Sequence, residues 1–339
     1  MSNLPRELIF GVLRRQYAIY PNGKARLDAP GGNVLYAAAG LAVWQSQPAP
    51  GVVARVGSDY PQSWLDRFER EGLDIRGVRR LNEPLDLRHF VSYTDLHNPK
   101  IEDDPVQQFA AANLPFPREL FGYRPLVRAV DSRTTLLPTS LRAHDIPEVF
   151  RTATAAHICP IDYVSHSVLP AILRQYGFTT ITLDPSPGYM NPDSWHLLPA
   201  LVTGLTAFLP SEEEVRYLFK GRSENLREMA EALAAWNCEI IVIKRGLAGQ
   251  LIYDGAARKF WEIPSYPASA LDPLGAGDAF CGGFLAGYRA TFDPLEAALY
   301  GNISASLAVE GYDPLYALGA LPGLAAARRE SLRNAVLQR

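Results

Sequence analysis

The segment 271–284 constrains this chain more than any other stretch, because it predicts a tight glycine turn that runs directly into a helix. The backbone N–H groups of Gly275, Ala276 and Gly277 would lie unpaired at the positive end of the helix dipole, an arrangement that binds anions. Asp278 follows at once, and a carboxylate there can take a proton from a hydroxyl that attacks a phosphate. The segment therefore indicates phosphoryl transfer.

A structural interpretation of the same residues is that the aspartate only caps a helix and the glycines only form a turn. Two details favour the chemical interpretation. Gly282 and Gly283 lie inside the predicted helix, where each glycine costs about 1 kcal/mol relative to alanine. Asp272 also stands six residues before Asp278, at the mouth of the same turn.

With every key position filled, this segment resembles the C-terminal signature of the PfkB (ribokinase-like) carbohydrate kinases, D-[T/P]-x-G-A-G-D followed by three residues and a small-small-apolar triplet. The resemblance implies a ribokinase-like α/β fold, in which a central, mostly parallel sheet carries helices on both faces and a small β-sheet lid covers the substrate. It further implies ATP and Mg²⁺, and it leaves a requirement for a monovalent cation open.

Composition argues against several other classes of protein. The chain has 339 residues, of which 47% are hydrophobic and 20% charged, as is usual for a globular protein. A net charge of −3 without a basic block argues against a nucleic-acid partner. The three cysteines are not spaced as in a disulfide framework. Neither they nor the six histidines have the spacing of a zinc site. No apolar run approaches the length of a membrane span, so we expect a cytoplasmic protein.

Apolar runs alternate with helical patterns, which predicts one α/β domain over 1–339 with a parallel sheet. The pattern predicts strands at 8–13, 51–57, 156–159, 179–183, 240–244 and 250–253, and helices at 33–44, 64–71, 168–176 and 226–236. Polar excursions at about 14–28 and 85–108 resemble the family's lid, whose strands can also pair across a homodimer. The Pro- and Arg-rich stretch 113–147 is either a substrate-facing insertion or a surface detour.

The substrate side departs from the family at two positions. Gly31 and Gly32 precede a predicted helix, and in the family such a pair lets the backbone approach the substrate, although glycines before a helix are also routine. Gln16 stands where the family usually has an aspartate, and Tyr36 where it tends to have an asparagine. An amide binds a hydroxyl without a charge. The usual sugar contacts are therefore in doubt, and Tyr36 is a candidate to stack on a base.

For the nucleotide side, the resemblance assigns a loop with G-x-x-G spacing after the strand at 240–244. Its predicted nucleotide-binding residues are Lys244, Gly246, Gly249, Asp272 and Asn302. Lys244 or Arg245 would screen phosphate charge, although either could be a surface cation. The turn 184–187 resembles a family turn that faces the same edge of the sheet.

Ser211 and Glu214 have the spacing of a capping box, which by itself accounts for both residues. In the family an N-x-x-E occupies this place, and its glutamate helps to organise the water shell of Mg²⁺. We expect Glu214 to act on Mg²⁺ in that way, since Mg²⁺ keeps several waters and takes few carboxylates.

These observations predict an ATP-dependent phosphotransferase that acts on a hydroxyl of a sugar or sugar-like small molecule. Asp278 would be the general base, and the backbone at Gly275, Ala276 and Gly277 the anion hole. The alternatives are a nucleoside kinase of the same fold and a catalytically idle relative that binds a nucleotide or sugar. A dinucleotide-dependent oxidoreductase is excluded, because Gly11 does not begin a G-x-G-x-x-G pattern.

Overall fold

The computed structural model describes residues 4–45, 48–96, 99–100, 104–124 and 131–337, and within these ranges the strands form two separate sheets. The strands are β1 (Glu7–Phe10), β2 (Arg14–Ile19), β3 (Ala25–Gly31), β4 (Gly51–Val56), β5 (Asp74–Arg80), β6 (Arg88–Tyr93), β7 (Pro99–Lys100), β8 (Ala155–Ile158), β9 (Thr180–Leu183), β10 (Ala207–Phe208), β11 (Ile240–Lys244), β12 (Gln250–Asp254) and β13 (Lys259–Ile263). The helices are α1 (Asn33–Ala42), α2 (Gln62–Arg70), α3 (Pro105–Ala111), α4 (Tyr163–Gln175), α5 (Leu198–Val202), α6 (Glu212–Leu218), α7 (Leu226–Ala234), α8 (Ala276–Thr291), α9 (Pro294–Ala308) and α10 (Leu324–Leu337).

The large sheet has the strand order β13-β12-β11-β10-β9-β8-β1-β4-β5. It is parallel except at β12, which runs antiparallel to both of its neighbours. Its inner strands β1, β4, β8 and β9 are buried along their whole length, which explains their nearly continuous apolar sequences. Because the carboxyl ends of parallel strands meet at one edge, the residues that follow β9, β10 and β11 come together there.

Helices cover both faces of the large sheet, as predicted. One face packs on α4 to α7 through residues such as Leu169, Leu198 and Met229, and the other on α1, α8 and α9. Gly282 lies at the crossing of α8 with α1, where an added Cβ would be 2.7 Å from the carbonyl carbon of Ala37. Only glycine permits that backbone approach. Within the described ranges, we find no helix long and apolar enough to cross a bilayer.

The small sheet, of order β3-β2-β6-β7, is the predicted lid, and we keep that name for it. On its inner face, Tyr20 and Tyr93 pack with Leu274 and Tyr312. Its outer face carries an apolar layer formed by Tyr17, Ile19, Phe90, Phe109 and Leu120. Part of the excursion predicted at 85–108 lies outside the described residues.

The structure describes the stretch 113–147 in two parts, and each part packs against another element of the protein. Its first part contributes Leu114 and Phe116 to the layer over the outer face of the lid. In its last part, the buried carboxylate of Asp145 accepts a 2.9 Å hydrogen bond from Nε of Arg55 on β4. Residues 125–130, between the two parts, are not described. The described parts therefore serve as packing layers.

Candidate active site

The turn before α8 leaves three backbone donors free. Gly275 is the N-cap of α8 and has a left-handed conformation, with φ of 76°. The N–H of Ala276 donates to the carbonyl of Pro273 at 3.3 Å, whereas those of Gly275, Gly277 and Asp278 donate to no described residue. Asp278 lies in the first helical turn and is not the N-cap, so the simple capping interpretation does not apply to it. Free donors at the positive end of a 16-residue helix are suited to binding an anion, and we refer to this turn as the candidate anion site, or anion site for short.

Tyr36 lies directly beneath this turn. A Cβ on Gly275 would overlap the ring atoms Cγ, Cδ1 and Cδ2 of Tyr36, so the ring supports the backbone of the turn. Tyr36 is only 3% exposed, which leaves no open ring face on which a base could stack. Its hydroxyl is buried beside the guanidinium of Arg26, whose charge and hydrogen bond oppose the rise that burial causes in the pKa of Tyr36.

A buried group of charges lies beside the anion site. Lys244, at the end of β11, forms an ion pair with Asp184, which follows β9. The Lys244 ammonium is 3.6 Å from Sγ of Cys281 on α8, and a Cβ on Gly277 would also be 3.6 Å from it. Arg245 turns away and donates to Glu212 at 3.2 Å. Of the two predicted cations, Lys244 is therefore the one beside the anion site.

Three carboxylates around Lys244 have raised pKa values. Burial is the main cause in each case: it raises the pKa of Asp278 to about 6, of Asp184 to about 6 and of Glu214 to about 7. The carboxylates also repel one another, while Lys244 opposes the rise in all three pKa values. One lysine does not neutralise three carboxylates, so the site has room for additional positive charge.

The carboxylate of Glu214 serves the predicted capping box and still retains a free oxygen. Its Oε2 accepts hydrogen bonds from the backbone N–H and the hydroxyl of Ser211, both at 2.7 Å. Oε1 accepts no hydrogen bond from a described residue. Among the described residues, no three donors lie close enough to hold a metal ion directly. An excess of carboxylate charge without a direct ligand cluster fits a Mg²⁺ ion that is held through its own waters.

Asp272 connects the turn to the lid. Its Oδ2 accepts a 2.6 Å hydrogen bond from the hydroxyl of Tyr20, which directly follows β2, and its Oδ1 accepts one of 3.3 Å from Tyr93 on β6. Oδ1 also accepts the backbone N–H of Leu274 at 3.0 Å. The carboxylate is 1% exposed. The lid strands and the anion-binding turn therefore share one buried anchor.

On the substrate side, Gln16 and Gly31 lie against each other on paired lid strands. Gln16 is 1% exposed, and its amide nitrogen is 3.0 Å from Nδ1 of His89. Burial, together with the positive charge of Arg14, lowers the pKa of His89 to about 4, so this imidazole is neutral at pH 7. Gly32 is the N-cap of α1, with φ of 111°.

The predicted nucleotide-binding residues at Gly249 and Asn302 meet at one segment, 263–266. A Cβ on Gly249 would lie 2.8 Å from the carbonyl carbon of Pro264, and Gly246 begins the short helical turn that precedes it. The Asn302 oxygen accepts the N–H of Tyr266 at 2.9 Å. Its nitrogen donates at 2.8 Å both to Gln250 and to the carbonyl of Pro264. Because both amide hydrogens are used, Asn302 positions this segment and has no donor left for a base.

Sequence reasoning missed the lid residues that contact the turn before α8, namely Tyr20 and Tyr93. Alternation along β2 could have indicated that Ala18 and Tyr20 share one face. No local pattern showed that this face meets the turn before α8, because the contact joins Tyr20 to a residue 252 positions away.

Known proteins resemble this chain over most of its length. Residues 162–317 match the pfkB family carbohydrate kinases. A cytidine kinase of Thermococcus kodakarensis is 31% identical over 285 residues, which cover 83% of this chain and 87% of that protein. A Ribokinase II from E. coli in complex with ATP and Mg²⁺ superposes with a TM-score of 0.66 at 18% identity, over 99% of this chain and all of the other. A Burkholderia thailandensis nucleoside kinase in complex with inosine gives a TM-score of 0.65 at 19% identity, over 97% and 99% of the two chains. The chain therefore belongs to the PfkB family of carbohydrate kinases.

Proposed function

We propose that this protein transfers the γ-phosphoryl group of ATP to a hydroxyl of a sugar or sugar-like small molecule. The observation that carries the proposal is the carboxylate of Asp278 beside the free N–H groups of Gly275, Gly277 and Asp278 at the start of α8. A base for the attacking hydroxyl and fixed donors for the developing negative charge are the two requirements of this reaction.

In this proposal Asp278 takes the hydroxyl proton while the acceptor oxygen attacks phosphorus. A pKa of about 6 leaves Asp278 ionised at neutral pH and close enough to that pH to act as an efficient base. The backbone donors stabilise the oxygen atoms of the transferring group. The N–H of Ala276 contributes less, since the carbonyl of Pro273 already accepts it at 3.3 Å. The lid, anchored through Asp272, excludes water that would otherwise compete as acceptor.

The same site suits ATP and Mg²⁺. When bound, Mg²⁺ supplies positive charge that neutralises the phosphates. Glu214 and Asp184 are the residues that would hold its waters, as the excess of buried carboxylate charge suggests. Lys244 would oppose the remaining phosphate charge. A requirement for a monovalent cation stays a prediction, to be tested by comparing turnover in K⁺ and in choline buffers.

For the nucleotide we propose the loop at Gly246 and Gly249, with the neighbouring segment 263–266 positioned by Asn302. Asp272 would contribute by holding the turn. On the acceptor side we propose Gln16 together with the backbone at Gly31 and Gly32. The amide oxygen of Gln16 can accept a hydrogen bond from a hydroxyl of the substrate while its amide nitrogen is hydrogen-bonded to His89.

A nucleoside is the second candidate acceptor, favoured by the similarity to a cytidine kinase over 83% of this chain. A nucleoside would present its ribose hydroxyl to Asp278 as a free sugar does. Its base would need a surface other than Tyr36, whose ring is covered. Acceptor-dependent ADP release, measured with panels of sugars, polyols and nucleosides, separates the two classes.

Replacement of Asp278 by asparagine tests the mechanism. Removing the base should lower kcat by at least about 100-fold, while thermal unfolding in the absence of ligand shows that the variant is folded. Asp66→Asn, on the exposed side of α2, is the matched control and should keep full turnover. Unchanged turnover of Asp278→Asn with an acceptor of the parent protein would contradict the mechanism. If no acceptor in any panel stimulates ADP release, the catalytically idle relative would be favoured.

Dimerisation through the lid remains a proposal as well. The outer face of the lid is already covered by the chain's own residues Phe109 and Leu120. Pairing would therefore have to use the edge of β3 or of β7. Light scattering coupled to size-exclusion chromatography measures the mass directly.

A further inference from the structure

The lid carries a partly buried arginine, Arg14, whose side chain has no hydrogen-bond partner. Among the described residues, its guanidinium donates no hydrogen bond and has no carboxylate within 4.0 Å. Burial lowers the pKa of Arg14, and the nearby Tyr123 and Asp86 oppose that effect only in part. Asp86 is already neutralised, because both of its carboxylate oxygens accept hydrogen bonds from Arg88.

The other three arginines on the lid strands do have partners. Arg15 and Arg88 each make two side-chain hydrogen bonds of 2.6 to 2.7 Å to an aspartate. Arg26 donates to the carbonyl of Pro30 at 2.5 Å and is hydrogen-bonded to the hydroxyl of Tyr36. Arg14 is therefore the lid arginine that the folded chain leaves without a hydrogen bond from its side chain.

Arg14 lies beside the residues that we propose for the substrate. Residues two apart on a strand share one face, so Arg14 is on the same face as Gln16 and Ala18, which is the inner face of the lid. Arg14 also pairs in register with Gly31 on β3. A Cβ on Gly32 would lie 2.9 Å from the backbone nitrogen of Arg14.

His89 supplies a second donor at this place. The amide nitrogen of Gln16 is hydrogen-bonded to Nδ1 of His89, so the one ring proton of this neutral imidazole is on Nε2. Nε2 makes no hydrogen bond with a described residue. The charge of Arg14 helps to lower the pKa of His89, as expected for neighbouring side chains. The two residues together offer free N–H donors and one positive charge.

The start of α1 favours the same kind of ligand. Its N-cap, Gly32, has no side chain to accept the free N–H groups of the first turn, and that turn contains no acidic residue. The positive end of a helix favours an anion. An arginine without a partner favours one independently, since its planar fork of donors matches the two oxygens of an oxyanion.

We propose that Arg14 binds a carboxylate of the phosphoryl acceptor, and that the substrate is therefore a sugar acid. This inference rests on the proposed function and names the class of its substrate. One positive charge beside a neutral imidazole matches a group with a single negative charge. A carboxylate has one charge at neutral pH, whereas a phosphate monoester has nearly two.

The carboxylate would lie at the end of the substrate away from the reacting hydroxyl. Arg14 leaves β2 beside Gly32, whereas the turn before α8 lies over Tyr36. Gly32 and Tyr36 are one helical turn apart, about 6 Å along the axis of α1. A substrate held between these two places would direct its carboxylate to the lid and a hydroxyl to Asp278.

The test compares sugar acids with sugar alcohols of the same carbon chain. The pairs are D-ribonate with ribitol, D-gluconate with sorbitol and D-galactonate with galactitol, and cytidine is included as a neutral nucleoside. ADP release measures turnover with ATP and Mg²⁺. Isothermal titration calorimetry with ADP and Mg²⁺ measures the affinity for each compound when no phosphoryl group can be transferred.

The variants are Arg14→Gln and Arg14→Lys, with Lys24→Gln as the matched control. Lys24 is an exposed cation in the turn between β2 and β3, so its replacement changes the charge of the lid by the same amount. Thermal unfolding without ligand shows whether each variant is folded.

We expect the parent to bind and phosphorylate at least one acid, with kcat/KM at least about tenfold above that of its alcohol. Arg14→Gln should raise the KM for that acid by about 10- to 100-fold and change kcat by less than about threefold, because it removes hydrogen bonds to a charged group that does not react. The preference for the acid should then disappear. Arg14→Lys should keep part of it, since lysine restores the charge without the planar fork. Lys24→Gln should match the parent.

The outcomes separate this inference from the proposed function. A parent that binds an acid more tightly than its alcohol but releases no ADP with either would overturn the proposed function and leave the carboxylate site in place. A parent that phosphorylates a neutral sugar or cytidine, and prefers no acid to its alcohol in binding or turnover, would overturn the carboxylate site alone.

Two further results would also overturn the role of Arg14. One is an equal loss of kcat/KM for acid and alcohol in Arg14→Gln, because a general disturbance of the lid would act on both. The other is a parent that binds none of the acids.

Discussion

Replacing Gly282 by alanine should push α1 and α8 apart and so disturb the candidate active site at the start of α8. The new Cβ would lie 2.7 Å from the carbonyl carbon of Ala37 and nearer still to its oxygen. Carbon atoms normally approach to about 3.5–4.0 Å, so the two backbones would have to separate by roughly 1 Å. Neither side of the contact is a flexible side chain that could rotate away.

The expected loss follows from two opposing effects. Overpacking a close-packed core costs about 1–3 kcal/mol, and a contact between two backbones belongs at the upper end of that range. Alanine regains about 1 kcal/mol of helix propensity. The net loss of unfolding free energy is therefore about 2 kcal/mol, which lowers the Tm of a chain of this size by about 3 °C. Because Tyr36 on α1 supports Gly275 at the start of α8, kcat should fall as well.

Thermal unfolding followed by far-UV circular dichroism measures the first effect, and ADP release measures the second. Gly319→Ala is the matched control, because a Cβ there meets no atom within 4 Å and its stability should stay within about 0.5 kcal/mol of the parent. A Gly282→Ala variant as stable as the parent, or more stable by the propensity gain, would refute this reasoning.

Three further predictions concern buried charges. Since the pKa of Asp278 is raised to about 6, kcat/KM should fall about tenfold per pH unit below 6 and level off above it; a flat profile from pH 4.5 to 8 would argue against this base. The pKa of Glu214 is raised to about 7 in the folded protein, so the folded state holds that proton more tightly than the unfolded chain does. The free energy of unfolding should therefore fall as the pH rises from about 4.5 through 7. Glu214→Gln, which keeps the cap on Ser211, should therefore stabilise the metal-free protein by up to about 3 kcal/mol at pH 8 and not at pH 4; urea unfolding at both pH values decides this, and an equal gain at both would contradict it. Asp145→Ala should cost about 3–5 kcal/mol in the same assay, because it leaves Arg55 buried without its partner; a loss below about 1 kcal/mol would show that the pair is not needed.

Local patterns in the sequence determined much of the fold and part of the site. The alternation of apolar runs predicted the parallel sheet, and the excursion at 14–28 predicted the lid strands. The capping box at Ser211 and the glycine turn before α8 were also predicted, because each depends on residues within one or two helical turns. Element ends were less accurate. The first strand was predicted over 8–13 but ends at Phe10. Beyond it, the backbone N–H of Val12 donates a 2.8 Å hydrogen bond to the side chain of Asn33 instead of to a neighbouring strand.

Contacts between residues far apart in the chain were decided only by the tertiary structure. Tyr36 was predicted to face the substrate, but packing places its ring under Gly275, where it supports the turn before α8. The sequence did not distinguish Lys244 from Arg245 as the cation of the site. The structure does, because the strands that lead to Lys244 and Asp184 end at the same edge of the sheet, where the two residues form an ion pair. The contacts of Tyr20 and Tyr93 with Asp272 depend on how the lid packs against the turn before α8. The sequence by itself predicted phosphoryl transfer and the turn before α8 that would serve it. Which side chains lie beside that turn was decided only by the tertiary structure, because burial and charge pairing act between residues that no local pattern connects.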